Sequence, residues 1–256
     1  MEAHLLGVAS ACLFSIGLVS AVHAAPISGQ GTWETTLQGR NLDGDAATFE
    51  AYYDTVLDIT WLADANAAGI AKTWDDAMAW SAGLNINGIT GWRLPTLGPI
   101  DGATFDTTKL TTNATTDIGS ARTTTDTEGS DGGWRDRSGT PVSEMGHMYY
   151  VSLANLSFCD PNEFWCSSQD GWGLENTGPF TNIQSDFYWL DTEFSDTEAW
   201  YFGADDGVQV NNIPKHLQRF AWAVRPGDVG PVPLPAAVWL FGGGLLGLLG
   251  MVRRKR

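Results

Sequence analysis

"FEAYYDTVLDITWL", Phe49 to Leu62, alternates, with Leu57, Ile59 and Trp61 on one side and Asp58 and Thr60 on the other. That period of two is the mark of a half-buried strand. A short way on, "KTWDDAMAWSAGLNI", Lys72 to Ile86, changes period. Trp74, Ala77, Met78 and Ser81 fall at i, i+3, i+4 and i+7, while Asp75, Asp76 and Ala79 point away. Thr73 followed by Asp76 is an N-cap signature, and Gly83 a stop, so the spacing predicts one amphipathic helix over Trp74 to Ala82. Strand and helix so close together define an α+β domain.

Downstream, "GWRLPT", Gly91 to Thr96, leads into 43 residues, Gly98 to Thr140, of which Thr, Gly, Asp and Ser make up 28. Such a stretch buries little apolar surface and reads as a long loop insertion. Hydrophobic text resumes at Met148 to Phe158, read as a strand. Further strands are expected at Phe187 to Leu190, Ala199 to Phe202 and Phe220 to Arg225, with "GADDG", Gly203 to Gly207, as a turn between two of them.

The two ends read as addresses. Leu5 to Val22 is apolar or small, and "AVHA" places Val22 and Ala24 where signal peptidase reads small residues, giving a signal peptide over 1–24. At the other end, "VPLPAAVWLFGGGLLGLLGMVRRKR" joins Val232, Pro233, Leu234, Pro235 and Ala236 to an apolar stretch and a basic tail, Arg253, Arg254, Lys255 and Arg256. Ala236 to Val252 as a helix spans ~26 Å, close to the thickness of a hydrocarbon core. A C-terminal transmembrane helix is therefore expected, its basic tail held on the cytoplasmic side.

Between these ends, residues 25–231 hold 10 basic against 29 acidic side chains, within a chain of net charge −16. A surface so acidic repels phosphate backbones, so a nucleic-acid partner is excluded. The composition, 43% hydrophobic with 12 tryptophans in the whole chain, excludes wholesale disorder. One domain is expected over 25–231.

Cysteine use agrees with export. Cys159 and Cys166 enclose "CDPNEFWC" in an oxidising compartment, and Asp160 and Glu163 would raise thiol pKa values, which favours a structural disulfide over a reactive dithiol.

Candidate chemistry is sparse. His147 and His216 carry no local signature of a serine nucleophile or of a zinc site, and no P-loop or dinucleotide fingerprint is present. Catalytic residues are therefore not assigned. Calcium is the one candidate cofactor, because oxygen-rich runs suit its six to eight ligands. These are "NLDGDAATFE" with Asn41, Asp43, Asp45 and Glu50, then Asp126, Glu128 and Asp131, and then Asp191, Glu193 and Asp196 with Glu198. The alternative is solvated acidic loops. Arg93 and Arg225 sit among apolar neighbours, where a guanidinium must be paired or stacked, and read as fold-fixing. Trp134, Trp165 and Trp172 lie in glycine-rich or loop text, where exposed rings stack on sugars.

The order of pentapeptide, apolar span and basic cluster resembles the PEP-CTERM class of bacterial sorting signals, in its VPLPA variant, over Val232 to Arg256. The resemblance implies processing by an exosortase. The body, through "VLDITWLADA", "WDDAMAWSAGLNINGITGWRLPTL", "FYWLDTEF", "AWYFGADDGVQVNN" and "FAWAVRPGD", resembles the Lcl C-terminal domain family over about Thr55 to Asp228. Trp92, Arg93, Leu94, Pro95 and Thr96, with Arg225, are its fold motif. One departure is that Leu97, Gly98 and Pro99 lead straight into the insertion. The "RLPT" and "VRP" elements are also similar to the C-type-lectin-like scaffold, which implies twisted antiparallel strands, one or two helices and a long loop presenting a ligand site.

These readings and resemblances together imply an exported cell-surface or extracellular-matrix protein, expected to carry a non-catalytic, lectin-like binding domain. Its partners would be signal peptidase, exosortase, the membrane through its C-terminal helix, and extracellular polysaccharide. A polysaccharide-acting hydrolase and a purely structural biofilm coat protein are the alternatives.

Overall fold

The run at Phe49 to Leu62 folds as a hairpin, not as one strand. The computed structural model describes residues 24–45, 47–99, 106–111, 118–121, 142–160 and 167–230. A one-turn helix α1 (Trp33–Thr36) leads into β1 (Leu37–Arg40), β2 (Ala51–Asp54) and β3 (Ile59–Leu62), paired antiparallel in that order. The turn is cut by Asp54. Its carboxylate accepts from the Val56 and Leu57 N–H groups at 2.9 and 3.1 Å, and Asp58 takes a left-handed conformation, φ 52°. An aspartate that bonds the backbone two and three residues on makes a turn without glycine or proline, which the alternation concealed.

The helix α2 (Trp74–Gly83) ends one residue beyond the expected range, and the Thr73 hydroxyl accepts from the Asp76 N–H at 3.3 Å. Ala77 and Ser81 are buried and Asp75, Asp76 and Ala79 exposed, as the period required.

Two expectations are corrected. The insertion 98–140 contains β4 (Asp106–Thr111) and β5 (Ile118–Ala121), paired parallel to each other. The threonines that make this text polar are also β-branched, and so suit a strand. Met148 to Phe158 is not a strand. Here α3 (Glu144–His147) runs into one π-helical turn, Met148–Ser152, in which the Leu153 N–H reaches the Met148 carbonyl at 2.9 Å. The Ser143 hydroxyl caps the start by accepting from the Gly146 N–H at 3.0 Å. Aromatic and β-branched composition gave the strand signal, whereas the cap decides the backbone.

Beyond this lie β6 (Phe187–Ser195), β7 (Glu198–Gly203), β8 (Gln209–Pro214) and the short β9 (Val224–Pro226). The described residues therefore form two mainly antiparallel sheets. One runs β1-β2-β3-β9 and the other β4-β5-β8-β7-β6. The fold is mixed α and β with few helices, and no helix among the described residues is long and apolar enough to cross a membrane. The expected signal peptide, the sorting motif Val232 to Ala236, the apolar span and the basic tail Arg253 to Arg256 lie outside the described residues, apart from Ala24. Ala25, the first residue after the expected cut, already bridges to Asn176.

Aromatic rings fill the core. Trp222 meets Trp61 and Phe180, each with centroids 4.8 Å apart, and its indole N–H donates to the Leu62 carbonyl at 2.8 Å. Burying these rings removes most of their area from water, and Trp222 keeps a partner for its polar edge.

"WRLPT" clasps the two sheets. Arg93 exchanges both backbone bonds with Val224, next to β3, at 2.8 Å. The Asp191 N–H on β6 donates to the Pro95 carbonyl at 2.9 Å, and the Leu97 N–H donates to the Thr192 hydroxyl at 3.0 Å. The Arg93 guanidinium grips Glu144 through two bonds of 2.7 and 2.8 Å, and Glu144 in turn accepts from the Thr96 N–H at 2.7 Å. Arg225 reaches out of β9 to the Thr90 carbonyl at 2.8 Å. Both guanidinium groups thus bond segments of the fold to one another.

Candidate functional site

The turn "GADDG" joins β7 to β8 and shapes a groove. The Gly203 N–H donates to the Val208 carbonyl at 2.7 Å and the Gly207 N–H to the Gly203 carbonyl at 2.8 Å. A Cβ on Gly203 would stand 2.6 Å from Asp206 Oδ1 and 2.9 Å from Asp205 Oδ1, so a side chain here would push both carboxylates from their place over this corner. Asp206 Oδ1 then accepts from the Val208 N–H at 3.0 Å. At Gly207, φ is +77° and a Cβ would run into the Tyr150 hydroxyl, which donates to the Gly207 carbonyl.

Two further segments close on this turn. The Phe158 N–H donates to the Asp206 carbonyl at 2.9 Å, and Gly173, with φ +102°, brings its backbone against the Asp205 carbonyl. Between them Phe158 and Trp172 meet edge to face at 4.8 Å. Trp172 remains 40% exposed, a large ring facing water. Phe187 and Tyr201, cross-strand neighbours on β6 and β7, form a second edge-to-face pair at 4.8 Å.

These four aromatic residues, with Asp205, Asp206 and two valines, line an open groove of about 390 Å³. That is the size of a small-ligand site. Burial raises the Asp205 carboxyl above its ordinary range, and the neighbouring Asp186 adds to the effect. Flat apolar faces beside acidic acceptors suit a pyranose ring, whose C–H face stacks and whose hydroxyls donate.

Of the sugar-stacking candidates, Trp172 lies in this groove, while Trp134 and Trp165 lie outside the described residues. Phe158, Phe187, Tyr201, Asp205 and Asp206 carry no site signature in the sequence. "GADDG" carries only a turn signal, and nothing local marks its carboxylates as neighbours of Trp172.

Cys159 is disulfide-bonded, and Cys166 lies outside the described residues. Phe158 and Asp160 pair with Ser167 and Gln169 through bonds of 2.9 and 3.1 Å, a narrow hairpin that holds Phe158 at the groove.

Asp191, Glu193 and Asp196, expected as a calcium site, are spread along β6 and its turn into β7. Among the described residues no group of three or more His, Cys, Asp or Glu side chains is placed to hold a metal ion. The run lies along β6 and its turn into β7, and a strand spreads its carboxylates rather than converging them. Lys215 takes the place of a cation there. Its ammonium pairs with Glu193, donates to the Asp196 carbonyl at 3.2 Å and sits 4.4 Å above the Trp74 ring. In the run from Asn41, the side chains are spent on the backbone, Asn41 and Asp43 accepting from the Gly44 and Asp45 N–H groups at 2.6 and 2.7 Å. Asp126, Glu128 and Asp131 lie outside the described residues.

Asp191 stands instead beside the Arg93 and Glu144 pair. Burial pushes its carboxyl up to about 6, against the pull of Arg93 and with the push of Glu144. A second, more apolar groove of about 500 Å³ lies at Phe49, Tyr52, Ile86 and Pro179. No protein-family model, no curated protein and no solved structure matches the chain.

Proposed function

We propose that this chain is an exported, exosortase-sorted protein that displays, at the cell surface or in the extracellular matrix, a lectin-like domain binding polysaccharide without transforming it. Signal peptidase would cut after Ala24, and the C-terminal span would hold the precursor in the inner membrane until the Val232 to Ala236 signal is processed. What supports the resemblance to the Lcl C-terminal domain family and to the C-type-lectin-like scaffold is, among the described residues, the pair of mainly antiparallel sheets, the sparse helix content and the clasp built by "WRLPT".

The observation that carries the reading is the groove of Trp172, Phe158, Phe187 and Tyr201 with Asp205 and Asp206 at the β7–β8 turn. Exposed aromatic rings anchor binding, and acidic acceptors orient hydroxyls. His147 is buried in the core and His216 is exposed, and neither lines the groove.

Co-sedimentation of the full-length chain with extracted extracellular polysaccharide tests this. The chain pellets with the polymer, Trp172→Ala weakens the association about tenfold or more, and the polymer keeps its length on long incubation. Shortened polymer would favour a hydrolase, and a chain left in the supernatant would end the binding reading.

A further inference from the structure

We infer that the groove selects a glycan bearing protonated amino groups, as a de-N-acetylated hexosamine polymer does. The inference rests on the binding reading above and narrows its ligand class.

Two features of the groove converge on this chemistry. Asp205 and Asp206 are adjacent on the turn, with Asp186 close enough to raise the Asp205 carboxyl further. Four aromatic residues line the same space. An ammonium is drawn both to a carboxylate and to the face of an aromatic ring, while the sugar's C–H face stacks on indole. Arg219 is the neighbouring cation, stacked over Phe187 and Tyr201 at 5.0 and 5.9 Å and donating to the Gln218 carbonyl at 2.8 Å. These two rings thus already hold a cation, and the Phe158 and Trp172 pair with the carboxylates is left to receive the ligand's ammonium.

Charge on the larger scale acts the same way. With 10 basic against 29 acidic residues over 25–231, the body repels uronate or sulfated polymers and draws in a polycation. An N-acetylated sugar still stacks, but it presents a neutral amide to the carboxylates and forgoes the ionic part of the attraction.

The test uses the full-length chain with four probes of matched length: glucosamine oligomer, N-acetylglucosamine oligomer, oligo-uronate and oligolysine. The glucosamine oligomer is expected to bind about tenfold tighter than its acetylated form. The preference shrinks in high salt, and the double variant Asp205→Asn, Asp206→Asn abolishes it while acetylated binding persists. Asparagine keeps the Oδ1 acceptor that Val208 needs, and the wild-type salt series reads the same charge dependence should that variant misfold. Equal affinity for the two sugars, or tight oligo-uronate binding, would overturn the amine preference and leave a glycan groove standing. Oligolysine bound as tightly as glucosamine would overturn it as charge attraction without sugar recognition. Failure of both hexosamine oligomers would remove this inference, and failure of the extracted polymer in co-sedimentation would remove the binding reading itself.

Discussion

Asp191 shows how one residue carries a measurable consequence of the fold. Its carboxyl, ordinarily near 3.8, titrates at about 6 beside Glu144 and Arg93. Below about pH 3.8 it is protonated folded or unfolded and contributes nothing. Between 3.8 and 6 only the folded chain keeps the proton, so stability from this group falls as pH rises through that window and stays lowered above it. At full burial the gap is worth roughly 3 kcal/mol, and partial exposure reduces it to about 1–2 kcal/mol. Asp191→Asn is therefore expected to raise the melting temperature at pH 7 and leave it unchanged below pH 4. An unchanged or lower melting temperature at pH 7 would contradict this environment. The sequence pointed to Arg93 as a paired guanidinium because apolar neighbours require a partner. It did not reveal Glu144 as that partner, since 51 residues separate them.

At the scale of elements, what could be read depended on whether the deciding contact was local. The helix α2 was legible because Thr73, Asp76 and the 3.6 period lie within one segment. The β2–β3 turn is hidden because the Asp54 cap leaves the alternation intact, and Met148 to Phe158 looks like a strand because its composition favours one while Ser143 caps a helix. The hairpin carrying Phe158 makes a further prediction. A bond from Cys159 to Cys166 closes an eight-residue loop, worth about 2.5 kcal/mol by chain entropy. Cys159→Ser is expected to lower stability by about that amount in denaturant unfolding and to loosen the wall that Phe158 forms, weakening polysaccharide binding in the same sample. Stability unchanged by the substitution would mean that the bond does not constrain this hairpin.

At the scale of the whole molecule, two sheets are locked through "WRLPT", and the groove gathers Phe158, Trp172, Phe187 and the Tyr201 to Asp206 segment from four stretches of chain. No one of these stretches announces a site, and their meeting follows from strand pairing, two glycines with positive φ and the backbone bonds of Phe158 and Asp160 to Gln169 and Ser167. Glycine spacing hinted at Trp172 alone. The central claim is that this groove is where polysaccharide binds, and Trp172 reports on it directly. Intrinsic tryptophan fluorescence of the full-length chain should change saturably on titration with soluble oligosaccharide from the matrix polymer, and the change should disappear in Trp172→Leu. A saturable change of equal size in wild type and variant would place the ligand elsewhere and contradict the account.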